Sequence, residues 1–393
     1  MAKTVILDGA RTPFGKMGGT LANFQAAELG GKAITAALER AQVDKDEVEH
    51  VVMGTVLQAG QGQIPSRQAA RHAGLDWHVT SETINKVCAS GMRSITLGDQ
   101  LIRLGEHHVV VAGGMESMSN APYLLDKARF GYRMGDGKLK DSMTFDGLTC
   151  TFTGAHMGTY GNSTAEDLSI SREAQDEWAY RSHQKASESA AILQEEMVEV
   201  EIPQRKGDPV VVNKDEGVRA DTSIVKLSSL RPVFGANGTI TAGNAPGVND
   251  GACAVVLMSE EVAVKQGKQP LATILDHTTI AVEAKDFPKT PGLVINKLLE
   301  KTGRSVEDID LFEINEAFSA VALASQQLAG LNPEKVNVNG GAVAMGHPIG
   351  ASGARIVLTL AYELRRRGGG LGIAAICSGS GQGDAILVEV PKK

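Results

Sequence analysis

Apolar and polar positions trace the same succession of elements twice. In the first copy, Glu47-Val48-Glu49-His50-Val51-Val52-Met53-Gly54 reads as a strand. Met92, Ile95 and Ile102 then recur at helical spacing through Ala89–Gly105, and an apolar strand follows at His108–Gly114. In the second copy, Leu311-Phe312-Glu313-Ile314 is the strand. Ile356, Leu360 and Leu364 mark a helix over Ala351–Arg367, and Leu371–Ile376 is the next strand. Ala89-Ser90-Gly91 returns as Ala351-Ser352-Gly353, an offset of 262 positions (351 less 89). Val48 pairs with Ile309 at 261 and Val111 with Ile373 at 262. Self-similarity on this scale predicts two copies of one β/α domain, not a short-period solenoid. Alternating strands and helices predict sheets covered by helices, with ligands beyond the strand ends.

The stretch from Met118 to about Val248 breaks the pattern. It is polar and rich in turns, and it reads as an inserted subdomain. One helix stands out within it, with Ser171 as N-cap, Glu173 in the first turn and an end near Ala190.

At 393 residues the chain has room for two or three domains. A net charge of −7 argues against a general nucleic-acid binder, and no apolar run is long enough to span a bilayer. The four cysteines, Cys88, Cys150, Cys253 and Cys377, form no Cys-x-x-Cys pair and no disulfide framework. Met1–Asp8 runs straight into an apolar strand, without a signal-peptide pattern. Unpaired thiols fit a reducing compartment, so the expectation is a cytoplasmic protein.

Candidate chemistry concentrates where apolar strands give way to small residues. Cys88 lies just before a helix, where unpaired N–H groups favour negative charge; as a nucleophile it needs such a setting or a neighbouring base. Its other reading is a buried core cysteine. His347, between Gly346 and Pro348, is a candidate base toward a thiol or a structural turn residue. Asn315, at a strand end, offers an amide donor to a carbonyl oxygen or caps a following helix. Cys377 precedes Ser378-Gly379-Ser380-Gly381. With only the strand Asp384–Val390 left, no helix completes a phosphate site, and the Gly379 N–H is better suited to a developing oxyanion. Two Cys and a His raise zinc, but none of the usual short ligand spacings is present.

The motifs Asn85–Met92, Gly113–Ser119, Asn315-Glu316-Ala317-Phe318, Gly346–Gly350 and Cys377-Ser378-Gly379 resemble those of the thiolase family, and the resemblance covers nearly the whole chain. It implies an α/β thiolase fold with two β/α halves stacked as an αβαβα sandwich. Residues 1–117, joined by 248–268, would form the first half, 118–247 a CoA-binding loop domain and 269–393 the second half. Cys88 resembles the nucleophile that becomes acylated. His347 would activate it and share an oxyanion site with Asn315, acting through a water. Cys377 resembles the acid/base for the α-proton, and the N–H groups of Cys88 and Gly379 a second oxyanion hole. Leu148, His156, Met157, Arg219, Phe234, Ala242 and Phe318 look like family positions along the acyl group, pantetheine and nucleotide. No cofactor or metal is implied, since the CoA thioester is substrate, and the family usually assembles as a homotetramer.

This chain also departs from the family. Pro246 replaces a pantetheine-side Ser, and Tyr160-Gly161-Asn162-Ser163 looks like a short insertion beside the acyl pocket. The resemblance leads to an acetyl-CoA acetyltransferase activity. Set beside it are a 3-ketoacyl-CoA thiolase of broader chain length, a malonyl-decarboxylating ketoacyl synthase, and a non-catalytic acyl-CoA binder. The second Cys at 377, in place of a second His, argues against the synthase.

Overall fold

The computed structural model describes residues 3–392. Its main strands are β1 (Thr4–Arg11), β2 (His50–Gly54), β3 (Thr80–Ile84), β4 (Val109–Ser117), β5 (Asn249–Ser259), β6 (Ala272–Ala281), β7 (Leu311–Ile314), β8 (Gly370–Ser378) and β9 (Gln382–Val390). They lie in the order β7-β8-β9-β6-β1-β5-β4-β2-β3, with the two-residue strand Gly15–Lys16 on β5.

The order carries the duplication. β2 is parallel to β4, β4 antiparallel to β5, and β5 antiparallel to β1. In the other half, β7 is parallel to β8, β8 antiparallel to β9, and β9 antiparallel to β6. The halves join where β1 pairs with β6 over Thr4–Ile6.

Helices α1 (Ala26–Ala41), α2 (Pro65–His72), α3 (Ser90–Leu104), α4 (Met157–Asp167), α5 (Arg172–Glu188), α6 (Thr290–Thr302), α7 (Ser319–Ala329) and α8 (Ser352–Arg366) complete the frame. Leu29, Ile34 and Leu38 of α1 pack on Met53, Val111 and Val256. Ile95 and Ile102 of α3, with Ile356 and Leu360 of α8, fill the layer against Val110, Val255 and Ile386. Val294 and Leu298 of α6 cover Phe312, Ile373 and Leu387. The result is five layers, with α3 and α8 in the middle. Val109 and Val111 face one core while Val110 and Ala112 face another, which is why β4 reads as an unbroken apolar run.

Element ends follow local chemistry. α3 stops at Leu104 because Gly105 takes φ +78° and its N–H caps Ile102 and Leu101. Ser171 caps α5, its Oγ accepting from Ala174 N at 3.1 Å. That helix ends at Glu188, and a separate short helix spans Ala190–Gln194.

The repeated Ala-Ser-Gly is where the halves touch. A Cβ on Gly91 would lie 2.8 Å from both Ala354 N and Gly350 O, and one on Gly353 would lie 2.5 Å from Met92 N. Only hydrogen fits at either place, so the first turns of α3 and α8 meet backbone to backbone.

Segment 118–247 holds two small hairpins, Tyr123–Leu125 with Leu139–Asp141 and Val200–Ile202 with Val210–Val212, besides α4 and α5. Residues 160–163 are helical. They are a turn of α4, in which Asn162 Oδ1 accepts from Thr239 N and Ile240 N at 3.0 Å and its Nδ2 donates to Phe234 O at 2.7 Å.

Candidate active site

A cavity of about 210 Å³ opens between the halves and the inserted segment. Cys88, His347 and Gly379 line it together with Leu148, His156, Met157, Phe234 and Phe318. Arg219 and Ala242 line an adjoining groove of about 240 Å³, which shares Ala245, Gly247 and Val248 with the cavity. Most residues named by the pattern-based reading thus converge in space, while Cys377 and Asn315 stand outside the lining of both spaces. That reading omits Met118, Val87, Phe287 and Ile349, which also line the cavity. Of these, Met118, Val87 and Ile349 stand inside the quoted motifs; nothing in the local pattern marks Phe287.

Cys88 is half-buried one residue before the N-cap Ala89 of α3. Burial pushes its thiol up to about 12, against the pull of two backbone N–H donors, those of Gly379 and of Cys88 itself. The sulfur is therefore a neutral thiol at neutral pH, with two N–H groups from different halves aimed at it.

His347 brings a neutral imidazole to the same cavity. Burial and then the positive Arg355 hold its imidazole down at about 3, so it is neutral at physiological pH. Its backbone N–H donates to Asn249 Oδ1 at 2.9 Å. Its Nδ1 lies 2.6 Å from Ser352 Oγ, which donates in turn to Pro348 O at 3.0 Å. With the Ser352 proton assigned to that carbonyl, Nδ1 carries the hydrogen of its own contact. Nε2 is left as a buried lone pair without a partner.

Cys377 is fully buried at the end of β8, in the apolar cluster with Met157, Ala317 and Phe318 that walls the cavity. Burial, then the proximity of Cys88, raises its thiol well above the usual range. Asn315 is fully buried just past β7, and neither side-chain atom has a hydrogen-bond partner. It caps no helix, because α7 starts at Ser319 with Phe318 at the N-cap. An orphaned buried amide is a place for a bridging water.

The neighbouring carboxylates are structural. Glu116 accepts from Val56 N, Leu57 N, Gly350 N and Thr55 Oγ1, so it pins the His347 loop to the first half. Glu316 accepts from Trp178 Nε1, Ser182 Oγ, Asn337 Nδ2 and Val343 N. His156 caps α4 through Nδ1, which accepts from Gly158 N at 3.1 Å, and stacks on Phe234 with ring centroids 4.4 Å apart. Among the described residues, no three His, Cys, Asp or Glu side chains stand as metal ligands.

Residues 4–261 match the family model "Thiolase, N-terminal domain", and residues 268–390 match "Thiolase, C-terminal domain". The chain belongs to the thiolase family. Over 391 residues it is 50% identical to a probable acetyl-CoA acetyltransferase of Mycobacterium tuberculosis, covering 99% of this chain and 100% of that relative. It is 49% identical to an acetyl-CoA acetyltransferase of Cupriavidus necator, with the same coverage. The crystal structure of the Bacillus anthracis acetyl-CoA acetyltransferase superposes with a TM-score of 0.97 at 41% identity, covering 100% of this chain and 99% of that one. The five-layer duplication is thus the thiolase fold, and this thiolase is an acyltransferase.

Proposed function

We propose that the protein is an acetyl-CoA C-acetyltransferase, condensing two acetyl-CoA into acetoacetyl-CoA and CoA and running the same steps in reverse. One observation carries the reading: a neutral imidazole with a free Nε2 shares a cavity with a neutral thiol under two N–H donors. Nε2 of His347 takes the Cys88 proton as sulfur attacks the thioester carbonyl. The oxyanion meets the N–H groups of Cys88 and Gly379; CoA leaves as the thiol with the Cys377 proton, Cys377 is left as thiolate, His347 keeps the Cys88 proton on Nε2, and Cys88 holds the acetyl group. Cys377 then removes an α-proton from a second acetyl-CoA. Protonated His347 and a water held by Asn315 donate to the enolate oxygen, the carbanion attacks acetyl-Cys88, and the expelled Cys88 thiolate takes its proton back from Nε2. Each oxyanion donor of this kind is worth roughly 3–4 kcal/mol of barrier.

The short acyl group is supported by the cavity's size and by the buried Met157 and Phe287 in its wall. That wall argues against the broader 3-ketoacyl-CoA range. CoA would run along the groove past Arg219, whose guanidinium suits a phosphate. Four cysteines without disulfides fit a cytoplasmic setting. A homo-oligomer is supported by the hairpin around Tyr123 and Leu139, where Phe130 and Met134 are 90% and 97% exposed in one subunit; no helix among the described residues is long and apolar enough to cross a membrane.

Intact-mass measurement after incubation with acetyl-CoA tests the reading. Wild type should gain one acetyl group, Cys88→Ser should not form the thioester, and Cys377→Ser should acylate without condensing. Tight CoA binding with no adduct in wild type would point to a non-catalytic binder instead.

A further inference from the structure

Cys88 and Gly379 lie on different halves of the chain, yet their N–H groups must meet one oxygen. Something has to set their spacing. The peptide just before the nucleophile is tied directly to the other half. Lys86 Nζ lies 2.6 and 2.9 Å from the two oxygens of Asp384. The pair is largely hidden, with side-chain exposures of 18% and 2%. Asp384 stands on β9 opposite Ile376, beside the Cys377–Gly383 pair of the same ladder. Ser378 Oγ, between Cys377 and Gly379, donates to Lys86 O at 2.6 Å.

The tied peptide is also strained. Val87 has φ +47°, a left-handed conformation that a β-branched residue rarely adopts. Three local hydrogen bonds hold it there: Val87 N to Asn85 Oδ1 at 3.1 Å, Lys86 N to Ser90 Oγ at 2.8 Å, and Ser90 Oγ to Val87 O at 2.6 Å. Val87 Cγ1 then abuts Gly379, 3.4 Å from where a Cβ there would lie. Buried ion pairs are poor sources of net stability but good devices for fixing a register.

We infer that Lys86, Asp384 and Ser378 are positioning residues, clamping the Cys88 loop onto the β8–β9 pair so that the two N–H donors converge. The inference rests on the acyl-transfer reading above. The test uses the full chain and two electrophiles. Acetyl-CoA needs the oxyanion site; iodoacetamide, which alkylates by displacement, does not. Asp384→Asn should slow acetylation of Cys88 at least about tenfold, a part of what losing a whole donor costs. Iodoacetamide alkylation should stay within about threefold of wild type, since it follows the thiol alone. Lys86→Arg, which keeps a cation opposite Asp384, should retain most of the acetylation rate. Should Asp384→Asn fail to fold, Ser378→Ala removes a tie without stranding a charge, and it should slow acetylation with KM nearly unchanged. Folded variants that acetylate at the wild-type rate would overturn the inference, as would acetylation and alkylation falling together with Tm. A wild type that never acetylates would sink the function reading itself, a separate result.

Discussion

Ser352 Oγ sits 2.6 Å from His347 Nδ1 and 3.0 Å from Pro348 O, and with its proton assigned to that carbonyl Nδ1 is the protonated nitrogen. A hydroxyl five residues along the chain thereby decides which imidazole nitrogen is the base. Without it, the hydrogen is free to occupy Nε2, which cannot then accept from Cys88. Ser352→Ala should lower kcat by about tenfold to a hundredfold, a share of the 10²–10⁴ that a positioned base supplies, with little change in KM. Steady-state thiolysis of acetoacetyl-CoA checks this, and an unchanged kcat would refute the tautomer assignment.

The two thiols and the imidazole also set a pH signature. Cys88 is displaced upward from 9.0 to about 12, and His347 downward from 6.5 to about 3. Both shifts favour the neutral pair over thiolate and imidazolium. Alkylation of Cys88 by iodoacetamide should therefore climb about tenfold per pH unit from 7 to 10, because only the thiolate reacts. A flat rate from pH 6 to 8 would mean that a preformed ion pair exists. The histidine also makes a stability prediction. A group whose folded value is depressed stabilises the fold above its unfolded value and loses that contribution on acidification. Stability should fall between about pH 6.5 and 3, and less so in His347→Asn.

Met157 closes the cavity beside Phe318 and contacts the Gly379 turn, with Sδ 3.6 Å from where a Cβ on that glycine would lie. Met157→Ala would open space behind the acyl group. Each added methylene is worth roughly 10–200-fold in discrimination, so the ratio of thiolysis rates for a six-carbon 3-ketoacyl-CoA over acetoacetyl-CoA should rise about tenfold or more. No change in that ratio would move the length limit to another wall.

The duplicated strands and helices were legible because buried strands and amphipathic helices write their periodicity into the chain. Their ends were legible where a cap was present, at Ser171 and Gly105. Cys88, His347 and Cys377 could be singled out because each interrupts an apolar or glycine-rich run for no packing reason. Contacts between distant positions were not legible. Lys86 and Asp384 are 298 positions apart, and Asn249 and His347 are 98 apart, and neither asparagine nor lysine carries a local mark of its partner. The backbone of Val87 was hidden too, since nothing about valine announces a left-handed turn. The helical state of residues 160–163 was not legible either, since helix α4 spends Gly161 on a close approach to Ile240.

The Gly91–Gly353 crossing constrains how such a molecule can vary. At matching strand ends, 262 positions apart, the two copies carry different side chains, Met115 in one and Cys377 in the other. Neither copy is free to vary at this seam. A methyl group on either side would push apart the two helix starts, and with them the nucleophile of one lobe and the imidazole of the other. The strand ends around this seam differ in chemistry between the copies, while the seam itself admits no side chain.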